Sequence, residues 1–394
     1  MAIDYYAMSS GLYADTVGDI GTNTNRRDVS ELLDLWIHRE TPFLNYIKWG
    51  PDSGGTAIEW MTEHQGRGYV TLLTPSITDT AGHTIAVTTS DTGGFTAAMR
   101  QICEGAVLMG FSSVNATHPL MFVNSTSLTG DIELQMITCA SIDIGEKLYV
   151  IGNFANEGSV AGEDRSQERT QVTNNFAILR EDVRITGSMA ATDFYAVPNE
   201  TRHQIQMRLK KMQKYREMSC FFSYGIARTA TVASMFNGIN YYIYTYNDSS
   251  TTDESTTTLT ESAFNTMVAN LWDAGCIPNA VFGSAKQIRK FTEWDRSRVR
   301  VTQDSKMGGF AVTKYLTDIN VEVDVVPMQN FPVEFLFILD TSKIRLRAKK
   351  GRKLLVEKIG KRADADEYQL ISEYSLECMG GTINTMGGAF KALQ

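Results

Sequence analysis

The chain lacks most of the features by which catalytic, secreted and membrane proteins declare themselves. Its longest apolar run, Phe335–Leu339, falls far short of the ~20 residues needed to cross a bilayer. Residues 1–30 carry no basic-then-apolar leader, which predicts a chain that stays in the cell that makes it. Cysteine is sparse. Cys103, Cys139, Cys220, Cys276 and Cys378 are odd in number and show no paired spacing, so they read as reduced, mostly buried thiols in a cytoplasmic setting. No Gly-x-x-x-x-Gly-Lys-Ser/Thr or Gly-x-Gly-x-x-Gly is present to cradle a phosphate, and no Gly-x-Ser-x-Gly elbow to present a nucleophile. His38, His64, His83, His118 and His203 never fall four residues apart or beside a cysteine, which leaves a zinc site without ligands. The Gly doublets, such as 54–55 and 308–309, read as turns. No catalytic residue, metal or cofactor is predicted. A basic excess is missing too: 37 Lys and Arg against 45 Asp and Glu give a net charge of −8, the wrong balance for a dedicated nucleic-acid binder. Enclosing nucleic acid without gripping it is still compatible with that charge.

What is present is 394 residues, enough for two or three domain-sized cores. Hydrophobic content of 43% and charged content of 21% are those of an ordinary folded chain. The most telling stretch runs from Arg27 to Trp60. Asp28 or Ser30 can cap a short helix carrying Leu32, Leu33, Leu35, Trp36 and Ile37, and Pro42 biases Thr41 out of that helix. An aromatic anchor, a Gly-rich break and an extended segment follow, with no room for a compact core. Segments of this kind lie on neighbouring molecules. Residues 1–26, small, polar and Tyr-spotted, read as an extended arm.

Further along, Thr56–Thr62 and Tyr69–Leu73 flank Gly66-Arg67-Gly68 and predict a long hairpin. Such a two-stranded projection is marginal alone and needs something to lie on. Residues 83–154 are β-rich, with strands expected at Thr84–Thr88, Gly105–Phe111, Leu120–Val123, Glu133–Thr138 and Lys147–Ile151. A polar connector, 155–175, leads to strand Asn175–Thr186. Ile205, Leu209, Met212, Tyr215, Met218, Phe222 and Ile226 then recur at helical spacing, predicting one helix from Pro198 to about Arg228. Its other face is basic. A Tyr-rich strand Tyr241–Tyr246, helices Glu261–Ala274 and Ser284–Trp294, and strands around Ala280–Gly283, Asn320–Val326 and Val333–Leu339 make a second α/β unit. The charged, Gly-containing loop Arg296–Phe310 suits a tip. Lys343–Arg347, Leu354–Glu357 and Asp366–Glu377 read as strands returning to the sheet that the long helix covers.

This order of pieces resembles the tailed-phage major capsid protein of the HK97 fold. More narrowly, Asp28-Val-Ser-Glu-Leu-Leu-Asp34, Glu40-Thr-Pro-Phe-Leu44 and Ile58-Glu-Trp60 resemble a subgroup with an acidic helix ending in Thr-Pro-Phe-Leu. The block Gln171–Met189, the helix segment Leu209–Met218 and the closing Glu373-Tyr-Ser-Leu-Glu377 extend the likeness. These motifs are short and cover about a third of the chain. The resemblance implies an α+β, HK97-like capsid fold: N-terminal arm (1–50), extended-loop hairpin (51–80), an inserted small β subdomain (81–165), a peripheral domain with its spine helix (166–228), an axial domain (229–340) and peripheral return strands (341–394). It also implies hexamers and pentamers in an icosahedral shell around double-stranded DNA, assembled in the host cytoplasm. Portal and scaffolding proteins are the implied partners, a cement protein is a further one, and no membrane is involved.

Trp36, Phe43, Trp49, Trp60, Arg67, Met307, Arg345 and Arg347 are the expected inter-subunit contacts, with Tyr46 beside them; for Phe43 and Tyr46, packing in the local core is an equal reading. Some capsids of this fold join a Lys of the extended loop to an Asn of a neighbour. No lysine occurs between Trp49 and Glu146, so unless Lys147 reaches, a non-covalent shell is expected. The basic run Lys343–Lys353, with Lys358, Lys361 and Arg362, has three readings: a solvated edge, ion pairs to a neighbour, or diffuse contact with DNA. Glu181 and Asp182, flanked by Arg180 and Arg184, suggest ion pairs more than acid–base chemistry. Rivals to the shell reading are an encapsulin-like compartment, a two-domain enzyme with a site in the α/β unit, and a β-rich adhesin.

Overall fold

The computed structural model describes residues 41–63, 68–74, 83–88, 102, 104–110, 118–126, 131–137, 142–155, 157–158, 169–192, 199–229, 231–246, 252–253, 258–294, 299–302, 312–361, 363–382 and 385–394. Trp36, Arg67, Met307, Cys103, Cys139 and the helix expected before Thr41 lie outside these residues. Among the described residues, twenty strands fall into two large sheets, a ribbon and a barrel.

Strand β1 is Lys48–Trp49, and β2 (Ala57–Thr62) alternates buried and exposed residues, with Ile58 and Trp60 inward. The expected hairpin of β2 with the next strand does not form. Strand β2 pairs instead, antiparallel, with β9 (Thr170–Asn175), Ala57 opposite Asn175 and Thr62 opposite Thr170. Everything between them is inserted at the ribbon's tip. There β3 (Tyr69–Thr74), β4 (His83–Thr88), β5 (Ala106–Met109), β6 (Leu120–Thr126), β7 (Asp131–Met136) and β8 (Lys147–Asn153) close into a six-stranded barrel. The inserted unit therefore starts at the second arm of the expected hairpin. A polar turn at 66–68 looks the same whether its flanks pair with each other or diverge into a closed sheet that removes its edges. The barrel has its own core, including Val70, Leu72, Leu108, Val123, Leu134 and Leu148.

The ribbon has something to lie on within its own chain. Trp60 packs on Tyr242, ring centroids 6.4 Å apart, and Ile58 joins the main core.

Strand β10 (Ala177–Thr186) pairs along its whole length with the fourteen-residue β19 (Ala365–Cys378). Strands β17 (Ile344–Ala348) and β18 (Leu355–Ile359) share the other side of β19, and β1 adds in parallel to β17. The long helix, Glu200–Phe222, lies on this five-stranded sheet through Leu209 and Met212 against Val183, Ile185 and Leu370. Asn199 caps it, its Oδ1 accepting from the Arg202 N–H at 2.9 Å. The helix stops six residues short of the expected Arg228. Beyond Phe222, the Ser223 Oγ donates to the Phe236 carbonyl and the Gly225 N–H donates to Asn237 Oδ1, so these groups bond across a turn and not along a helix.

The seven-stranded sheet orders β11 (Thr252–Asp253), β20 (Gly387–Phe390), β16 (Leu336–Leu339), β12 (Ala280–Ser284), β15 (Glu322–Met328), β14 (Val312–Leu316) and β13 (Val299–Thr302). Both faces are covered, which is why β12 and β16 read as unbroken apolar runs. Val281, Leu336 and Ile338 face helices Glu261–Asp273 and Ala285–Glu293; Phe282, Phe337 and Leu339 face the main core. Two expectations fail here. Residues 387–390, read as holding a Gly turn and grouped with the return strands by the 341–394 boundary, form strand β20 and join this sheet. Tyr241–Tyr246, expected as a strand, belongs to helix Ile239–Tyr246, which buries Ile239, Tyr242 and Ile243. Aromatic and β-branched content suggested a strand; the i, i+3, i+4 spacing of the buried face decides for a helix. Gly238 admits the turn before it, because a Cβ there would sit 2.9 Å from the Cys220 carbonyl.

Candidate assembly interface

The signature Thr41-Pro-Phe-Leu44 forms the start of a short helix, Pro42–Tyr46, with the proline in its first turn. Pro42, expected to end a helix, opens one. The long helix holds it in place. Glu217, 4% exposed, accepts the Phe43 N–H through Oε1 at 2.8 Å, and the Leu44 N–H also bonds to it. Burial pushes the Glu217 carboxyl up to about 7, against the pull of those two N–H groups and of Lys214.

Phe43 sits fully buried, its ring 4.5 Å from Phe221 and 5.1 Å from Phe282. Tyr46 packs on the same Phe282 ring and donates its hydroxyl to Asp324 Oδ2 at 3.3 Å; burial and that carboxylate hold the phenol above its usual range. Both residues are part of the chain's own core. Trp60 is likewise buried in it, although its indole Nε1 finds no acceptor among the described residues.

Trp49 is half-buried and lies at the rim of that core. Lys353 stands 4.2 Å from its ring centre and the Arg216 guanidinium 5.3 Å. Arg347 turns inward: its Nη1 donates to Glu377 Oε2 at 2.9 Å and its Nε to the Pro51 carbonyl at 2.6 Å. Arg345, two residues away on the same face of β17, is exposed and has no ion pair among the described residues.

The basic run behaves in a way none of the three readings anticipated. Most of it is neutralised within the chain. Lys343 pairs with Asp340, Lys349 and Arg352 with the buried Glu373, and Lys358 and Lys361 with Asp366. On the helix side, Glu181 takes Arg208 and Lys211, while Arg180 meets Asp182 and Arg184 meets Glu367. Ion pairing, the reading given to Glu181 and Asp182, holds for them and equally for Asp366, Glu367 and Glu373.

Two buried polar groups escaped the sequence reading. One is Glu217, the other Asn174. Asn174 donates through Nδ2 to the Leu376 carbonyl at 2.7 Å and accepts the Asn237 N–H at 2.8 Å, so it ties the base of the ribbon to β19 and to the turn after the long helix. The available signal was a polar residue on an otherwise inward-facing side of its element. The three described cysteines, Cys220, Cys276 and Cys378, are buried free thiols.

The outer face of the barrel carries apolar residues that no other described residue covers. Strand β8 points Tyr149 and Ile151 outward, with Phe154 just beyond it 58% exposed. Ile137 and Ile144 are exposed on the same barrel.

This architecture is the HK97-like fold of phage capsid proteins. The chain aligns with the capsid asymmetric unit of cyanophage A-1(L) at a TM-score of 0.53 and 10% identity, over 95% of this chain and 98% of that one. The model of the SU10 major capsid protein family matches residues 15–381, and the chain belongs to that family. It is a major capsid protein of a tailed phage, a component of the virion shell. Weaker likenesses run to a structure from Mycobacterium phage Bobi (TM-score 0.49, 8% identity, 94% and 96% covered) and to the holo-SrpI encapsulin complex from Synechococcus elongatus PCC 7942 (0.43, 12%, 58% and 78%). No curated protein matches the chain. Family membership decides for the phage capsid over the encapsulin-like compartment and the adhesin.

Proposed function

We propose that the chain assembles as hexamers and pentamers into an icosahedral shell that encloses double-stranded DNA and is held by non-covalent contacts. The five-stranded sheet and the long helix serve as the peripheral domain. The seven-stranded sheet and its helices serve as the axial domain, and the ribbon with its barrel acts as the extended loop reaching a neighbour. The role is structural and not catalytic. What supports this reading is the set of uncovered apolar side chains on ribbon and barrel: Met61, Ile137, Ile144, Tyr149, Ile151 and Phe154. Grouped exposure of this kind marks a surface that another molecule covers.

Obligate interfaces of roughly 2,000–5,000 Å² supply a gross apolar term that ordering costs largely cancel. Single contacts then stay weak enough to correct, while a closed shell holds. The lack of lysine from Trp49 to Glu146 removes the usual nucleophile for a covalent join on the ribbon. With most of the basic run paired internally, Arg345, Lys350 and Lys353 are its exposed cations without an ion pair among the described residues, so contact with DNA is weak and salt-dependent. Trp36, Arg67 and Met307 stay in the proposal as contacts to neighbours, joined by Trp49 and Arg345. Portal and scaffolding proteins complete the assembly, and the barrel offers a cement protein its surface.

The test is negative-stain electron microscopy of the purified chain, alone and with a co-expressed scaffold. Shells, tubes or capsomer rings are expected. A persistent monomer under both conditions at high concentration overturns the proposal and revives the enzyme reading.

A further inference from the structure

The long helix is charged against the grain of the chain. Between Glu200 and Phe222 it carries six Lys and Arg and two Glu, in a chain whose net charge is −8. Neither glutamate forms an ion pair with those cations among the described residues. Glu217 is buried on the Phe43 and Leu44 N–H groups, and Glu200 accepts from Gln204 Nε2 at 2.6 Å. Arg208 and Lys211 bridge to Glu181, which leaves Arg202, Lys210, Lys214 and Arg216 without an ion pair among the described residues. Arg202, Gln206, Lys210 and Lys214 recur every four residues and so share one side of the helix. The first three are exposed and Lys214 is half-buried.

The stripe runs into a cleft. A space of about 340 Å³ opens between the helix and the start of β18, with Gln213, Arg216 and Lys353 in its lining. Lys353 is exposed and stands 4.2 Å from the centre of the Trp49 ring. The Arg216 Nη2 donates to Ser372 Oγ at 2.8 Å, and its buried Nε has no acceptor among the described residues. Burial lowers the guanidinium from its usual range, so an anion placed beside it restores the charged form. On an ordinary solvated helix carboxylates interleave with the cations; here they do not. The stripe also offers a protein partner no apolar side chain to bury, since Arg202, Gln206, Lys210 and Gln213 are all polar. From Arg202 to Arg216 the helix runs about 21 Å at ~1.5 Å per residue. Duplex DNA presents one phosphate per ~1.7 Å of its axis, roughly a dozen over that length.

We infer that this stripe, ending at Arg216 and Lys353, is the surface by which the subunit meets the phosphates of the enclosed duplex DNA, without reading its bases. The inference rests on the proposed enclosure of DNA and adds an orientation to it: the long helix faces the interior of the shell.

The test is fluorescence anisotropy of two labelled duplexes of unrelated sequence with the purified chain, from about 50 to 200 mM salt. Contact by five cations is expected to bind both duplexes equally, with an affinity that falls about 500-fold over that range. Lys210→Gln with Lys214→Gln, in a helix that glutamine suits as well as lysine, is expected to reduce the fall to about 40-fold. Arg228→Gln with Lys286→Gln, at exposed cations elsewhere, is expected to leave it unchanged. The same fall in the stripe variant as in the parent overturns the inference. So does a poly-glutamate chain of equal charge that binds more tightly than the duplexes, which assigns the stripe to an acidic protein. Orientation is read with Lys210→Cys against the background of the parent's own thiols. A small maleimide is expected to label both free subunit and closed shells, and a maleimide carried on a protein too large to enter them is expected to label the free subunit alone. Labelling of shells by the large reagent puts the helix outside, and protection from both reagents puts it under a neighbour. Either result overturns the inference, whereas the shell reading itself stands or falls on whether particles form.

Discussion

At the scale of single residues, Glu217 and Phe43 divide the work of holding the Thr-Pro-Phe-Leu signature. The folded chain keeps the Glu217 proton to about 7 where the ordinary carboxyl lets go near 4.5. The folded state therefore binds more protons than the unfolded state between those values, and this residue's contribution to stability falls as pH rises through that window, then stays flat. The gap is worth roughly 3 kcal/mol by pH 8. Glu217→Gln keeps a carbonyl for the Phe43 and Leu44 N–H groups without a charge to desolvate. Its thermal midpoint is expected to exceed the parent's by a few degrees at pH 8 and to match it at pH 5. A variant that is less stable at pH 8 than at pH 5, relative to the parent, refutes the desolvation account. Phe43→Ala removes a fully buried ring among Phe221 and Phe282. It is expected to lower the stability of the unassembled subunit by about 3–5 kcal/mol in denaturant titration. An interface anchor would instead leave the subunit unchanged and impair only assembly.

At the scale of elements, period and boundary chemistry carried most of the fold into the sequence. The helix from Glu200 and strands β10, β12, β17 and β19 fall within a few residues of their expected places: β10 and β17 alternate inward and outward residues, β12 is a short apolar run, and caps such as Asn199 are local. Pairing was less legible than existence. Nothing within β2 says that its partner is β9, more than a hundred residues on, and not the strand across the next turn. That choice is settled by the barrel, whose closure takes β3 away. Likewise Tyr241–Tyr246 carries a strand's composition on a helix's spacing, and β20 gives no local sign of which sheet it will enter. Of the proposed contacts, the aromatic residues were visible, but whether they face the chain's own core depends on long-range partners such as Phe282. The barrel's separate core implies an autonomous unit. Residues 68–154 expressed alone are expected to give dispersed amide resonances and a cooperative melt, and the remainder with a short Gly/Ser link across the ribbon tip is expected to keep its own transition. If the fragment is unfolded, the barrel depends on the body after all.

At the scale of the whole molecule, the subunit spends its charge inward and its apolar residues outward. Ion pairs around Glu181, Glu373, Glu377 and Asp366 close on themselves, while Tyr149, Ile151 and Phe154 are exposed among the described residues, on a unit carried at the end of a ribbon. A monomer gains nothing from that distribution; a subunit whose barrel is covered by another molecule in the shell does. Paired substitution Tyr149→Asp and Ile151→Asp separates the two cases. Both side chains point away from the barrel core, so surface substitution is expected to change the subunit's melting point little, within about 0.5 kcal/mol of stability. In the shell the same carboxylates lose water without a partner, a cost of several kcal/mol for each buried copy. The expected outcome is a normal subunit by circular dichroism and size exclusion, with the yield of closed particles down at least tenfold by electron microscopy. Particles formed at parental yield place this face in solvent and leave it to a cement protein, which then binds parent shells and not the variant. Shells from the parent chain, boiled in detergent, are expected to run as one band at the 43.8 kDa of a single chain. A ladder of multiples shows a covalent join that does not need a lysine on the ribbon, and the weak-contact account of the shell fails with it.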